Sequence, residues 1–355
     1  MSEKGLEELR NRLDSIDNEM LDLINKRMDI VHQVGVLKAN SGGSIYRPER
    51  ERAIIDRLDN INTGKLNRRA IEALFLEVFA ISRNFELPEN VAFLGPAGSF
   101  THQAAETRFG AMSSYLPIAS IKGVFREVYT KKAKFGVVPI ENSSNGIVSD
   151  TINCLTKYDL KIIAEVILDI HHTLATTCDK VKDIKKIYSK DIAFEQCRKF
   201  LENVGLDEVE LIPVESTTKA VQYALKEKGS AAICSHVGAK MYNLPILFEN
   251  IEDKDNNRTR FFIVSDFENA KSGKDKTSVL VKLPNKSGAL VEFLTDFNEA
   301  KINLTKIKSH IVEGVSIFFI DFDGHKDDEH IQKIFTKHKE SIKFLGSYLK
   351  EADDI

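Results

Sequence analysis

At 355 residues, 42% of them hydrophobic and 29% charged, the chain has room for two or three globular domains with sizeable cores. Lys and Arg number 50 against 53 Asp and Glu, a net charge of −3 that argues against a basic nucleic-acid-binding surface. There is no long apolar run to span a membrane and no signal-peptide core in the opening MSEKGLEELRNRLD, and the four scattered cysteines form no CxxC pair, so a reducing cytoplasm is expected.

The first element is a long helix. Leu6, Leu9, Leu13, Ile16, Met20, Leu23, Ile30, Val34 and Leu37 recur in steps of three and four, the seam of a helix packed lengthwise on others. Arg27 breaks the series. A guanidinium on an apolar seam snorkels, pairs internally, or meets an anionic ligand. Lys38 falls on nearly the same face. Arg10 lies about 40 Å from Lys38 along a straight helix, too far for one small ligand. An antiparallel second copy would bring Arg10 of one chain to Lys38 of the other, although another helix of the same chain could also supply the missing charge.

A Gly-Gly breaker within residues 40–46 precedes Pro48, which suits the first turn of a second helix. Arg50 lies in that first turn, and Glu51 shares a stripe with Ile54, Ile55 and Leu58. A third helix, from about Asn67 to Glu86, presents Ile71, Phe75, Val78, Ser82 and Phe85 on one stripe, with Glu86 a turn further.

Inward Arg10, Arg27, Lys38, Arg50, Glu51, Ser82 and Glu86 on three helices, with the run YRPERE at Tyr46 to Glu51, resemble the all-helical chorismate mutases. The resemblance implies an intertwined homodimer in which Arg10 crosses into the partner's site. Arg27, Arg10 and Lys38 would hold the carboxylates and ether oxygen of chorismate, and Glu51 would accept its ring hydroxyl. A Claisen rearrangement needs no nucleophile, metal or cofactor; it needs a folded substrate and positive charge at the breaking ether bond. Arginine forks suit carboxylates. Glu86 can donate to the ether oxygen only when protonated, so mutase activity is expected to fall as pH rises through its pKa.

Beyond a short linker at 87–90, short apolar strands alternate with helices up to about residue 268. Strands are predicted near 136–140, 162–168, 187–189, 210–214, 231–235 and 261–265, an α/β pattern with mainly parallel sheets in two lobes. Four polar strings fall at strand ends: GPAGSFT from Gly95 to Thr101, PIENSSNG from Pro139, ESTT from Glu215, and NRTRF from Asn257. Each alone is explained by a turn or a helix cap. Together they read as a cleft for a small polar anion, with no nucleotide fingerprint.

In this order the strings resemble prephenate dehydratase. The resemblance implies two lobes similar to periplasmic solute-binding proteins, with prephenate between them. It gives Thr259 the catalytic role and adds Ser99, Thr101, Glu141, Asn142, Ser143, Ser189, Gln196 and Arg260 to the substrate site. The family's Ser-His string reads Ser189-Lys190 here. Arg260 either holds the anion or makes an external ion pair. The chemistry asks for a hydrogen-bond or proton donor at the departing hydroxyl, which a networked threonine can supply.

A polar linker, Phe267 to Lys276, leads to the order βαββαβ, a ferredoxin-like pattern with Ser287 as the expected cap of its first helix. Gly288-Ala289-Leu290-Val291 and Asn303 to Ile307 resemble the ACT domain attached to prephenate dehydratases. That resemblance implies phenylalanine as effector, at Gly288, Ala289, Leu290, Val291 and Ser309. The family's Glu-Ser-Arg-Pro reads Lys308-Ser309-His310-Ile311, so the domain senses phenylalanine, senses something else, or serves assembly alone.

The whole chain thus resembles the bifunctional chorismate mutase–prephenate dehydratases. The expected fold is multidomain: an all-α three-helix bundle over 1–88, a two-lobed α/β domain over 90–268 and a ferredoxin-like α+β domain over 275–350. Expected partners are chorismate, prephenate, phenylalanine and a second copy of the chain in a homodimer or higher homo-oligomer, with no cofactor, metal, nucleic acid or membrane. A non-catalytic amino-acid sensor is the competing class, and a bundle kept only for dimerisation is a third reading. His171-His172 reads as ordinary histidines without a third metal ligand.

Overall fold

The computed structural model describes residues 3–41, 48–86, 90–143, 146–254, 257–312 and 315–351, without the side chains of 3, 4, 38–41, 86 and 312. These fall into two compact units: residues 1–89 with 109–114, and residues 90–108 with 115–355. The breaker at 42–47 and linker residues 87–89 lie outside the described residues.

The first unit holds α1 (Glu3–Ser41), α2 (Pro48–Ile61) and α3 (Arg68–Glu86). Pro48 opens α2, where its missing N–H costs nothing. Asn67 accepts from the Ala70 N–H at 2.9 Å just ahead of α3. Ile55, Ile71 and Phe79 form the small core, and Met28 is buried on α1. The α1 seam is otherwise uncovered: Leu9, Leu13, Met20 and Leu23 are each at least half exposed. The reason is length. A 39-residue helix cannot be covered by partners of 14 and 19 residues.

The second unit begins with β1 (Asn90–Leu94), α4 (Phe100–Phe109), β2 (Ser114–Ile118), α5 (Ile121–Tyr129), β3 (Phe135–Asn142), β4 (Gly146–Ile147), α6 (Ser149–Lys157) and β5 (Lys161–Asp169). The chain then crosses to a second sheet through β6 (Thr173–Thr176), β7 (Lys186–Ser189), α7 (Asp191–Gln196), α8 (Arg198–Asn203), β8 (Glu210–Pro213), α9 (Thr217–Lys226), β9 (Ser230–Cys234), α10 (His236–Met241) and β10 (Ile246–Glu249). It returns as β11 (Arg258–Ser265), which inserts between β3 and β5.

The expectation of mainly parallel sheets needs correction. β1 and β3 are parallel, as are β7, β8 and β9, but β11 runs antiparallel to both neighbours, and β6 and β10 are antiparallel as well. β5 runs out of the first lobe toward the second and β11 runs back from it, so as neighbours in the sheet the two are antiparallel. The strand expected at 261–265 starts at Arg258, so the whole Arg-Thr-Arg-Phe run is ladder.

The last part comprises β12 (Asp275–Lys282), α11 (Ala289–Glu299), β13 (Leu304–Val312), β14 (Val315–Asp323), α12 (Glu329–Lys337) and β15 (Ile342–Leu349), in the sheet order β13-β14-β12-β15. This is the ferredoxin-like order. Its helix cap is not Ser287: Gly288 takes that place at φ 83, a left-handed conformation suited to glycine. The sheet packs onto the first lobe, with Leu280, Phe319, Leu345 and Tyr348 sharing a core with Phe262 and Val264. At Gly346 the two come close: a Cβ there would stand 2.1 Å from the Ile162 carbonyl oxygen.

Candidate functional sites

In the helical unit Arg27 of α1 reaches α3. Its Nη1 donates to Ser82 Oγ at 2.5 Å, and its guanidinium lies 5.9 Å from the Phe79 ring centroid. Ser82 is buried and donates to the Val78 carbonyl at 2.6 Å, which anchors that contact. Glu51 of α2 is paired with Arg83, whose Nη2 also donates to the Phe109 carbonyl at 2.9 Å. Arg83 has no place in the sequence reading, because it lies one position off the stripe carrying Ser82. Arg10 and Arg50 are exposed. The side chains of Lys38 and Glu86 lie outside the described residues.

The second unit contains a cleft of about 790 Å³. Of the predicted residues, Ser99, Thr101, Asn142, Gln196 and Thr259 line it. Ser99 and Thr101 are at the start of α4, where Ser99 Oγ accepts from the His102 N–H at 3.3 Å. His102 Nδ1 in turn accepts from the Gly98 N–H at 3.2 Å, and burial lowers its pKa, so the imidazole stays neutral and holds the loop. Gly98, at φ +81, approaches Gly238 closely, and Ser235 Oγ donates to the Gly98 carbonyl at 2.7 Å, so this loop bridges the two lobes.

Asn142 and Thr259 are register partners on β3 and β11. Asn142 Nδ2 donates to Thr259 Oγ1 at 2.8 Å, to Asn257 Oδ1 at 3.0 Å and to the Arg258 carbonyl at 3.1 Å. The threonine oxygen is therefore an acceptor toward the protein, which leaves its own hydrogen for the cleft.

Two predicted residues turn away. Strand alternation sends Thr259 and Phe261 to the cleft and Arg260 to the opposite face. There the Arg260 guanidinium, 2% exposed, pairs with Glu165 at 2.6 Å and Asp321 at 2.6 Å and donates to Tyr348 Oη at 3.0 Å. Lys276 meets Glu165 at 3.0 Å and Ser278 donates to Asp321 at 2.5 Å, so two cations and two carboxylates balance in a dry interface. Burial drives the Tyr348 pKa well up. The expectation that Arg260 holds substrate is thus corrected: its charge is committed between the lobe and the terminal sheet. Glu141 is corrected likewise, since it pairs with Lys306 and, at 3.7 Å, with Lys308 of β13.

Ser189 and Ser143 also lie off the cleft wall. Ser189 is fully buried and donates to the Ile233 carbonyl at 2.7 Å; Ser143 Oγ accepts from the Arg258 N–H at 3.0 Å and closes the β3–β11 ladder. The wall instead includes His172 and Asn257, each within two or three residues of a strand end. Lys190, Glu215, Ser216 and Thr217 line it too, although Ser216 also caps α9 by accepting from the Lys219 N–H at 3.1 Å.

In the terminal sheet Gly288, Val291 and Ser309 are exposed, Leu290 is half-buried and Ala289 is buried. Lys306 and Lys308 share the face of β13 toward Glu141, while Ile307, Ser309 and Ile311 on the other face are exposed. Among the described residues no helix is long and apolar enough to cross a membrane, and no group of three or more His, Cys, Asp or Glu is placed to hold a metal ion.

Comparison with known proteins identifies the parts in turn. The family model for chorismate mutase type II matches residues 9–87, that for prephenate dehydratase residues 91–269, and that for the ACT domain residues 277–340. The bifunctional chorismate mutase/prephenate dehydratase of Aquifex aeolicus is 38% identical, with 97% of this chain and 98% of that protein covered. The enzyme of the same description from Pseudomonas aeruginosa is also 38% identical at the same coverage. Among solved structures, the prephenate dehydratase of Arthrobacter aurescens, in complex with L-Phe, aligns with TM-score 0.68 and 32% identity over 74% of this chain and 90% of that one. The fold and its parts define a multidomain enzyme of aromatic metabolism. The chain belongs to the bifunctional chorismate mutase/prephenate dehydratase family: it rearranges chorismate to prephenate and converts prephenate to phenylpyruvate.

Proposed function

We propose that the cleft lined by Ser99, Thr101, Asn142, Gln196 and Thr259 is the prephenate site, with Thr259 as the donor to the departing hydroxyl. The observation that carries this reading is the Asn142–Thr259 hydrogen bond, 2.8 Å, in which the threonine oxygen accepts, so that its own hydrogen can be given to a ligand in the cleft. As the carboxylate leaves as CO₂, its C–C electron pair becomes a ring π bond and the ring C–O bond breaks. The oxygen departs with one added proton as water. Hydrogen bonding to that oxygen stabilises the charge it gathers. Thr259→Ala should lose most of the turnover of prephenate while the circular dichroism spectrum stays unchanged; near-normal turnover rejects the assignment.

The mutase site proposed here joins Arg27, Lys38, Arg50, Glu51, Ser82 and Glu86 of one chain with Arg10 of a second copy in a homodimer. The exposed seam of α1 supports it: Leu9, Leu13 and Leu23 are 52%, 58% and 63% exposed, far more apolar surface than a solitary helix leaves in water. Leu13→Glu should give a monomer by analytical ultracentrifugation and abolish mutase turnover together. In this reading the domains span 1–88, 90–268 and 275–350 in a cytoplasmic enzyme. Phenylalanine is the effector, held near Gly288, Ala289, Leu290, Val291 and the exposed face of β13 at Ser309. Lys308, in place of the family's glutamate, lies on the other face of that strand. Inhibition of prephenate turnover by added phenylalanine tests this, and a flat response rejects it.

A further inference from the structure

The two lobes are joined by two crossing segments, residues 170–172 between β5 and β6 and, between β10 and β11, a segment whose described residues are 250–254 and 257. They hydrogen-bond to each other at both ends: the Ile170 N–H donates to the Asn257 carbonyl at 2.7 Å, and the Ile251 N–H to the His172 carbonyl at 3.1 Å. Each segment carries one buried side chain that lines the cleft with a polar atom left unsatisfied. These are His172 Nδ1 and Asn257 Nδ2, on residues 2% and 5% exposed. A buried polar atom without a partner is costly, and native proteins keep such atoms chiefly where a ligand or water completes them.

The two atoms differ in kind. Asn257 Oδ1 already accepts from Asn142, so its Nδ2 is a donor awaiting an acceptor. His172 Nε2 faces Gln196 Oε1 at 2.8 Å, and an amide oxygen only accepts, so Nε2 carries the hydrogen and Nδ1 is a bare acceptor. Burial lowers the His172 pKa and keeps the ring neutral. Phe100 packs edge-on against the ring at 5.5 Å, and the backbone N–H of His172 donates to Glu252 Oε2 at 2.8 Å, which fixes the main chain at that residue.

Prephenate with both carboxylates ionised offers many acceptors and one donor, the ring hydroxyl. We propose that His172 is a specificity-determining residue of the dehydratase, whose Nδ1 accepts the hydrogen of the substrate's ring hydroxyl. This rests on the cleft being the prephenate site. The contact orients the hydroxyl so that its oxygen lone pair is presented to Thr259. It also favours prephenate over ring compounds that lack the hydroxyl, because these gain nothing at Nδ1, which is already without a partner in the free protein.

The product supplies the control, since phenylpyruvate has lost that hydroxyl. In the full-length protein, His172→Ala should lower kcat/KM for prephenate about tenfold to a hundredfold. The inhibition constant of phenylpyruvate, measured as a competitor, should stay within about twofold of wild type. Equal weakening of both ligands signals a merely structural histidine and overturns the proposal, as does no change in either. Should the alanine variant fail to fold, His172→Asn is judged by the same two constants. Thr259→Ala, run beside it, separates the two ideas. Loss of turnover there with an unchanged His172→Ala overturns the role of His172 alone, whereas retained turnover in Thr259→Ala overturns the cleft assignment and this proposal with it.

Discussion

Asn142 and Thr259 stand opposite each other on adjacent antiparallel strands, and the amide of one donates to the hydroxyl oxygen of the other at 2.8 Å. The polarity of that bond is what makes a threonine useful. An isolated threonine hydroxyl samples all rotors, whereas here one lone pair of its oxygen is engaged by Asn142, which in the proposed site leaves its hydrogen for the substrate.

Reversing that polarity should therefore stop turnover without disturbing the fold. Asn142→Asp replaces the donating amide by a carboxylate, which would draw the Thr259 hydrogen back toward itself. Prephenate turnover is expected to drop on the order of a hundredfold, the scale of one lost preorganised donor. Steady-state kinetics checks this, and Thr259→Ser, which keeps the hydroxyl, should retain substantial activity.

Arg260 predicts a stability effect. Removing its charge in Arg260→Met leaves Glu165 and Asp321 short of a partner in an interface where all three are at most 2% exposed. Breaking a buried pair from one side costs about 3–5 kcal/mol. The urea midpoint of the variant should fall by a corresponding amount, with loss of dehydratase following unfolding rather than preceding it.

The pairing of Glu141 with β13 should be unequal between its two lysines. The Lys306 side chain is 11% exposed and Lys308 47%. Lys306→Ala is expected to destabilise by about 1–3 kcal/mol, since it strands a buried carboxylate. Lys308→Ala should cost less than about 1 kcal/mol, because solvent screens it. Chemical denaturation of the two variants side by side provides the test.

His102 makes a pH prediction. Its folded pKa lies below the ordinary 6.5 because burial disfavours the charged ring. The unfolded chain therefore takes up the proton first. The stabilisation is present above pH about 6.5 and is lost as pH falls through the folded pKa. Melting temperature should decline on acidification over that window, and His102→Gln should flatten part of the decline. His172, shifted in the same direction, accounts for a further part.

The sequence by itself determined the three-part architecture, since helical, α/β and ferredoxin-like periodicities follow one another along the chain. It also pointed to the loops that build the cleft, because four polar strings at strand ends, each explicable alone as a turn or a helix cap, recur together along one α/β segment. It did not determine which way the residues of those strings face. β11 is buried on both faces from Thr259 to Ser265, so no polar–apolar alternation marks the cleft side. In sequence Arg260 can hold the anion beside Thr259 or make an external ion pair, and only the packing of the terminal sheet on the lobe decides that it serves a buried interface. Glu141 turns away from the cleft for the same reason, its partner lying 165 residues away. His172 carried no pattern at all. What singles it out is a ring nitrogen left without a partner, which exists only once the two crossing segments have been brought together.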